Sequence, residues 1–258
     1  MDSGEVAPAG HAAEFRGVHK GTGGAMALAP TDFAVPSGST MVLLGPSGGG
    51  KSLILELLAG AVPPDAGQIL VHGEVVRVGD GEQRRRLGYV PQDAILFPHL
   101  TVAGNAALVS RWLGAKIDRV EARLIELAQL LRLDEEALAT YPDALAPALR
   151  PRALILRALM LDPPLLLLDE PFEGTDPQAK ASLQDELNLL FRHLHKTVVI
   201  ATSDLALAAH LGDQVAFVDG GRVLQVGPLA ELDERPQSPT VTRFLGAQRR
   251  LWQLGGAS

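Results

Sequence analysis

The chain of 258 residues contains no cysteine, which excludes disulfide bonds and thiolate metal sites and is consistent with a cytosolic protein. It also lacks the apolar run of about 18 residues that marks a membrane-spanning helix. Its richest apolar stretch, residues 153–168, is interrupted by an arginine, an aspartate and two prolines. We therefore expect neither a transmembrane helix nor a signal peptide, and any membrane association should pass through a partner.

An excess of positive charge is missing as well. The chain has 23 Lys and Arg against 30 Asp and Glu, a formal net charge of −7. This balance disfavours electrostatic binding to nucleic acid or to anionic lipid. What the sequence does contain is 47% apolar residues. At this length, that suffices for one large α/β domain or for a core domain with a smaller subdomain.

The most informative segment is glycine-rich and fits the phosphate-loop pattern G-x-x-x-x-G-K-[ST] at every fixed position. Its residues are Gly45, Pro46, Ser47, Gly48, Gly49, Gly50, Lys51 and Ser52. In such loops backbone N–H groups surround phosphate oxygens, the lysine reaches the β- and γ-phosphates, and the serine hydroxyl binds Mg²⁺. A strand-like run precedes the loop at residues 41–44 and a helical pattern follows at 52–58. The segment therefore predicts a nucleotide phosphate site at a helix N-terminus.

Two carboxylates follow a second apolar run, residues 165–168. A strand of this kind, buried on both faces, is typical of a parallel sheet. Asp169 ends the run, where a phosphate-loop protein places the carboxylate that holds Mg²⁺. Glu170 is positioned to polarise a water for attack on the γ-phosphate. The alternative is a pair of ordinary carboxylates at a strand end, which the upstream phosphate loop disfavours.

These segments and residues 89–102 resemble the nucleotide-binding subunit of an ATP-binding cassette (ABC) transporter, over roughly residues 14–248. The resemblance implies ATP and Mg²⁺ as ligands. It assigns Gln92 as the Q-loop glutamine, which contacts Mg²⁺ and the attacking water, and places Asp176 at the D-loop aspartate. Ser52 and Asp169 would complete the protein ligands of Mg²⁺.

The resemblance also implies partners and a location. The partners are a second ABC ATPase subunit, a transmembrane permease and, indirectly, a solute-binding protein, with no nucleic acid involved. The chain would lie peripherally at the cytoplasmic face of the membrane. Residues 107–114, 183–187 and 243–247 resemble importers of osmoprotectants such as glycine betaine, choline or carnitine. Importers of oxyanions, ferric ion or polyamines share most of these features, so the solute stays open.

Three positions depart from the family pattern, and the first concerns adenine. Family members carry an aromatic residue that stacks on adenine near position 22, where this chain has Thr22. Base–aromatic stacking is worth about 1–3 kcal/mol in single-stranded nucleic-acid proteins, so by analogy ATP affinity would fall by roughly one to two decades. Phe15 is an alternative source of the missing ring.

The second departure is the signature motif L-S-G-G-Q, replaced at residues 145–149 by L-A-P-A-L. In the family this segment opens a helix, and its serine hydroxyl and glycine N–H groups bind the γ-phosphate held by the other subunit. Ala146 has no hydroxyl, Pro147 has no N–H, and Ala148 places a Cβ where the backbone must approach phosphate. The helix can still begin at Pro147 while the phosphate site is weakened.

The third departure is Ser203, which stands where the family has a switch histidine. Serine can donate one hydrogen bond but cannot become a cation. Loss of a comparable transition-state donor costs about 2.7–4 kcal/mol, a factor of roughly 100 to 1,000 in rate. The departures predict a transport ATPase subunit that binds ATP, turns over slowly alone, and depends on a partner that is either a second copy or an intact paralogue.

Other functions stay open. One is a non-hydrolysing ATP-binding subunit with a regulatory or structural role, which the two lost motifs favour and Glu170 disfavours. Another is a soluble ABC protein of translation or DNA repair, which usually has two cassettes or a long coiled-coil insertion. Other phosphate-loop NTPases and kinases do not explain Gln92 and Asp176 together.

The predicted fold is α/β, a phosphate-loop NTPase core with a mostly parallel sheet, an antiparallel β subdomain and an inserted helical subdomain. The predicted divisions are a disordered lead at residues 1–13, the ABC ATPase core with its β subdomain at 14–92 and 161–226, the helical subdomain at 93–160, and a C-terminal helical tail at 227–258.

Overall fold

The structure is a computed structural model that describes residues 10–22 and 25–255. The strands are β1 (His11–Thr22), β2 (Ala25–Pro36), β3 (Thr40–Leu44), β4 (Ala66–Val71), β5 (Glu74–Val75), β6 (Leu87–Val90), β7 (Leu165–Asp169), β8 (Thr197–Thr202), β9 (Gln214–Asp219) and β10 (Arg222–Gly227). The helices are α1 (Lys51–Leu58), α2 (Gly81–Arg85), α3 (Val102–Trp112), α4 (Ile117–Leu130), α5 (Glu135–Ala139), α6 (Arg150–Leu159), α7 (Pro177–His193), α8 (Leu205–Leu211), α9 (Leu229–Glu234) and α10 (Pro239–Gly255).

The strands form two sheets. The larger one has the order β10-β9-β3-β8-β7-β6, and every neighbouring pair in it is parallel except β10 with β9. Strands β3, β7 and β8 are buried along their whole length, which explains their continuous apolar sequences. Because parallel strands all end at one edge, the loops after β3, β6, β7 and β8 meet there.

The smaller sheet is antiparallel, with the order β2-β1-β4-β5. Two apolar cores lie on opposite faces of the larger sheet, because alternate strand residues point in opposite directions. Leu165 and Leu167 of β7 pack in the core that contains α1 and the smaller sheet. Leu166 and Leu168 pack in the other core, with residues of α3, α4, α6 and α7. The larger sheet is thereby held as a rigid support for the loops at its carboxyl edge.

The predicted fold class is confirmed, with a mostly parallel sheet, an antiparallel β part and a helical region. Helices α3 to α6 lie within the predicted helical subdomain, and α9 and α10 lie within the predicted tail, whose residues 256–258 are outside the described residues. Residues 1–9 of the predicted disordered lead are also outside them. However, the predicted disordered segment extends too far along the chain, because His11 and Ala13 already belong to β1 and pair with Pro36 and Val35 of β2. In the part of the chain that the structure describes, no helix is long and apolar enough to cross a membrane.

Candidate nucleotide-binding site

The phosphate loop connects β3 to α1 and packs tightly against the end of β9. A Cβ added to Gly45 would lie 1.9 Å from the carbonyl oxygen of Val218, and one added to Gly49 would lie 2.9 Å from the same oxygen. Gly48 and Gly50 have φ angles of 74° and 105°, a region that side chains other than glycine rarely adopt. The loop conformation therefore requires the glycines for close approach and for backbone geometry.

Lys51 opens α1, and its side chain is buried. Its Nζ donates to the carbonyl oxygens of Gly45 at 2.9 Å and Pro46 at 2.8 Å, and lies 4.0 Å from the Glu170 carboxylate. Burial lowers the pKa of Lys51, while the negative charges of Glu170 and Asp169 oppose that shift. A cation at a glycine-rich loop and a helix N-terminus makes an anion site of the phosphate-loop kind.

Asp169 ends β7 beside this loop and is 3% exposed. Its Oδ1 is a buried oxygen without a hydrogen-bond partner among the described residues. Burial raises the pKa of Asp169, and the nearby Ser52 hydroxyl partly offsets the rise. A carboxylate oxygen left free beside a serine hydroxyl fits Mg²⁺, which takes few protein oxygens and completes its shell with water and phosphate. The described residues hold no cluster of three or more His, Cys, Asp and Glu that would form an all-protein metal cage.

Glu170 is held in an unusual conformation. Its φ angle is 42°, in the left-handed region, and its N–H donates to the carbonyl oxygen of Ala201 at 2.9 Å. Its Oε2 accepts a hydrogen bond from the Thr202 hydroxyl at 2.9 Å. Such backbone conformations cost about 1–3 kcal/mol and persist where surrounding contacts impose them. The carboxylate is therefore positioned in advance, close to the lysine of the phosphate loop.

Several predicted residues line one polar cleft of about 260 Å³ at the carboxyl edge of the sheet. Ser47 comes from the phosphate loop, Gln92 from the segment after β6, Glu170 from the end of β7, and Ser203 from the end of β8. The cleft brings together polar and charged groups of four neighbouring strands, which is the usual place for a ligand in an open α/β sheet.

Asp176 is not one of the residues that line this cleft. Its Oδ1 accepts hydrogen bonds from the backbone N–H groups of Gln178 at 2.9 Å and Ala179 at 3.3 Å. The structure thus gives Asp176 the role of N-cap of α7.

Glu173 and Lys180 also line the cleft, and the sequence did not predict them as site residues. Gln92 Nε2 donates to Glu173 Oε2 at 2.7 Å. The Lys180 ammonium group pairs with the Asp204 carboxylate, which also caps α8. Their only signal in sequence was proximity to Asp176, and nothing in the spacing predicts either partner.

The segment at the signature position keeps its helical start. Residues Pro147–Leu149 form a 3₁₀ turn with proline at its first position, and the turn leads directly into α6. Leu145 is buried in the core of the helical region, whereas Ala146 and Ala148 are exposed. Helix α6 therefore forms although the segment before it lacks the hydroxyl and N–H groups that the family motif supplies.

The alternative aromatic residue for adenine is not available. Phe15 is 3% exposed, and its ring stacks on that of Phe33 with centroids 4.6 Å apart. Phe15 is therefore a core residue beneath the smaller sheet. The side chain of Thr22 lies outside the described residues.

Comparisons with known proteins agree with this geometry. A family model described as "ABC transporter" matches residues 28–173, so the chain belongs to the ABC transporter family. The glycine betaine/carnitine/choline transport ATP-binding protein OpuCA of Bacillus subtilis is 36% identical over 228 residues, which cover 88% of this chain and 60% of the relative. The Fe(3+) ions import ATP-binding protein FbpC of Pseudomonas fluorescens is 36% identical over 239 residues, covering 92% and 67%. The sulfate/thiosulfate import ATP-binding protein CysA of Thermosynechococcus vestitus is 39% identical over 232 residues, covering 89% and 68%.

This chain thus spans about 60–68% of the length of these relatives. Osmoprotectant import is only one of the functions that their names give. Among solved structures, the dimeric ATP-binding cassette MJ0796 in a post-hydrolysis state bound to ADP and Pi is similar with a TM-score of 0.75 and 26% identity, covering 84% of this chain and 98% of that one. The cbiO1 subunit of Clostridium perfringens shares the fold with a TM-score of 0.80 and 22% identity, covering 95% and 99%.

Proposed function

We propose that this chain is the ATP-binding subunit of an ABC importer, which couples ATP binding and hydrolysis to solute import through a separate membrane permease. One observation carries the proposal: Lys51, the buried Asp169 and the pre-positioned Glu170 meet beside a phosphate loop at the carboxyl edge of one sheet. Relatives of similar identity are named for betaine, ferric ion and sulfate import, so the proposal extends to the importer class and not to one solute.

Each group of the site has a definite task in this proposal. The backbone N–H groups of residues 45–50 and the ammonium group of Lys51 bind the phosphates of ATP. Ser52 and Asp169, with Gln92, would hold Mg²⁺, which would neutralise phosphate charge. Glu170 accepts a proton from the attacking water, and the Thr202 hydroxyl keeps that carboxylate oriented.

We further propose that the subunit depends on a partner cassette for fast turnover. ATP in this family is held between the phosphate loop of one subunit and the signature segment of the other. Here the exposed part of that segment, Ala146 to Ala148, offers neither a hydroxyl nor a full set of N–H groups, and Ser203 offers no cation. A homodimer would combine both defects in each site, whereas an intact paralogue would separate them. The pair would lie at the cytoplasmic face of the membrane, against the permease.

A second candidate is an ATP-binding subunit that does not hydrolyse ATP and regulates or supports a transporter. The same two departures favour it. The conformation of Glu170 argues for retained catalysis, because a left-handed glutamate that bonds Thr202 and lies near Lys51 is costly to keep without use.

The first test is equilibrium binding of Mg-ATP to the isolated chain, measured by calorimetry. Lys51→Ala should abolish detectable binding. Lys116→Ala is the matched control, because Lys116 is an exposed lysine at the start of α4 whose side chain caps nothing. It should leave the affinity unchanged. Binding that survives Lys51→Ala would refute the proposed site.

A further inference from the structure

The polar cleft contains a cationic side chain beside the position where the switch histidine is missing. Lys180, in the first turns of α7, lines the cleft together with Glu170 and Ser203. Its ammonium group pairs with Asp204, the residue directly after Ser203. The cation and the serine are thereby brought to the same cleft by different elements, α7 and the end of β8.

We propose that Lys180 contacts the γ-phosphate of bound ATP and supplies the hydrogen bond and positive charge that Ser203 lacks. The inference rests on the proposed function, because it concerns the same cleft. It assigns the residue a role in distinguishing ATP from ADP, since only ATP has a γ-phosphate.

The charges around the cleft support this role. Glu170, Glu173 and Asp204 all line it, and a terminal phosphate would add further negative charge. Ser203 can donate a single hydrogen bond and stays neutral. Lys180 has three ammonium donors on a flexible four-carbon stem, so it can bind a phosphate oxygen while still contacting a carboxylate.

Asp204 does not depend on Lys180 for its hydrogen bonds. Its Oδ1 accepts from the N–H groups of Ala206 at 2.7 Å and Leu207 at 3.4 Å, whereas Lys180 contacts Oδ2. The side chains of Lys180 and Asp204 are 28% and 26% exposed, so water can replace the ammonium group. A partly exposed pair of this kind contributes little to stability. Lys180 can therefore turn toward a phosphate, to which an ammonium group donates charge-assisted hydrogen bonds.

The Thr202 hydroxyl connects Glu170 to the backbone of Asp204. It donates to Glu170 Oε2 at 2.9 Å and accepts from the Asp204 N–H at 3.1 Å. One side chain therefore contacts both the carboxylate that activates water in the proposed function and the residue that pairs with Lys180, so Lys180 is linked to Glu170 through two neighbouring residues of the cleft.

The test compares the affinities of ATP and ADP for the wild-type chain, Lys180→Gln and Lys180→Arg. Lys180→Gln should weaken Mg-ATP binding about 10- to 100-fold, the range for one charge-assisted hydrogen bond, and leave ADP binding unchanged. Lys180→Arg should retain most of the ATP preference. Unchanged ADP binding also shows that the variant is folded. If Lys180 only joins α7 to α8, the two affinities will change equally or not at all, which would overturn the proposal.

A second variant tests whether Lys180 replaces the histidine. In a Ser203→His background, Lys180→Gln should weaken ATP binding by a clearly smaller factor than in the wild-type background. Equal factors in the two backgrounds would refute the replacement. Lys51→Ala distinguishes failure of the proposed function from failure of this inference. If no Lys51-dependent ATP binding is found, both are refuted. If ATP binding depends on Lys51 but Lys180→Gln leaves the ratio of ATP affinity to ADP affinity unchanged, only the inference is refuted.

Discussion

Thr202 gives the sharpest test of how the site is positioned. The residue is 3% exposed, and its hydroxyl donates to the Glu170 carboxylate and accepts from the Asp204 N–H. A hydrogen bond to an ionised group contributes about 1.5–3 kcal/mol. Because the Glu170 side chain is 18% exposed, water partly replaces the lost donor, and we expect Thr202→Val to lower the free energy of unfolding by about 2 kcal/mol.

Thr197→Val is the matched control. Thr197 lies at the other end of β8, is also 3% exposed, and its hydroxyl accepts from the Gly38 N–H at 2.8 Å. We expect this neutral hydrogen bond to contribute about 1 kcal/mol to stability and nothing to the site. Urea unfolding measures both stabilities.

The distinguishing assay is single-turnover hydrolysis of γ-labelled ATP with the chain in excess, which detects slow chemistry. Thr202→Val should slow it roughly tenfold, a part of the 10²–10⁴ that a well-placed general base contributes. Thr197→Val should leave the rate unchanged. Equal rates for the two variants would refute the claim that Thr202 orients Glu170.

Three further predictions concern the cleft. Glu173→Ala should tighten Mg-ATP binding by about two- to fivefold in equilibrium titrations, because it frees Gln92 and removes a negative charge worth about 0.5–1 kcal/mol at an exposed position. Unchanged or weaker binding would contradict that reasoning. Gly49→Ala should lower the free energy of unfolding by about 1–3 kcal/mol and weaken ATP binding, because its Cβ would lie 2.9 Å from the Val218 carbonyl oxygen. A variant with wild-type stability and ATP affinity would contradict this prediction and show that the loop can shift to accommodate the Cβ. Finally, Mg²⁺-dependent ATP binding should decrease as the pH falls through the raised pKa of Asp169, since the ion needs the ionised carboxylate. Asp169→Asn should bind ATP weakly with little pH dependence, and an unaltered pH profile in that variant would exclude Asp169 as the titrating group.

The sequence predicted those parts of the site whose chemistry depends on fixed spacing. A phosphate loop needs its glycines, lysine and serine at set intervals, so residues 45–52 were recognisable from the sequence alone. Asp169 and Glu170 were predictable because a run of leucines buried on both faces ends at them.

Contacts between distant side chains were not predictable in the same way. Gln92 and Glu173 are 81 residues apart, and Lys180 and Asp204 are 24 apart. Each pair meets because the order of the parallel strands brings the segments that follow them to one edge, and local patterns do not encode that order.

Two other expectations depended on tertiary packing. The start of β1 at His11 follows from its pairing with β2, which overrides a local composition typical of disorder. Phe15 was a candidate for adenine stacking until its burial against Phe33 placed it in the core.

Dependence on a partner cassette is tested most directly by the phosphate released per molecule of bound ATP. Binding and steady-state release would be measured in the same samples of the isolated chain, at saturating Mg-ATP, with Lys51→Ala as the control. We predict Lys51-dependent binding with negligible release, because the signature segment and Ser203 leave the paired site incomplete. Release far above that of Lys51→Ala would contradict partner dependence and show that Ser203 and residues 145–149 suffice for turnover.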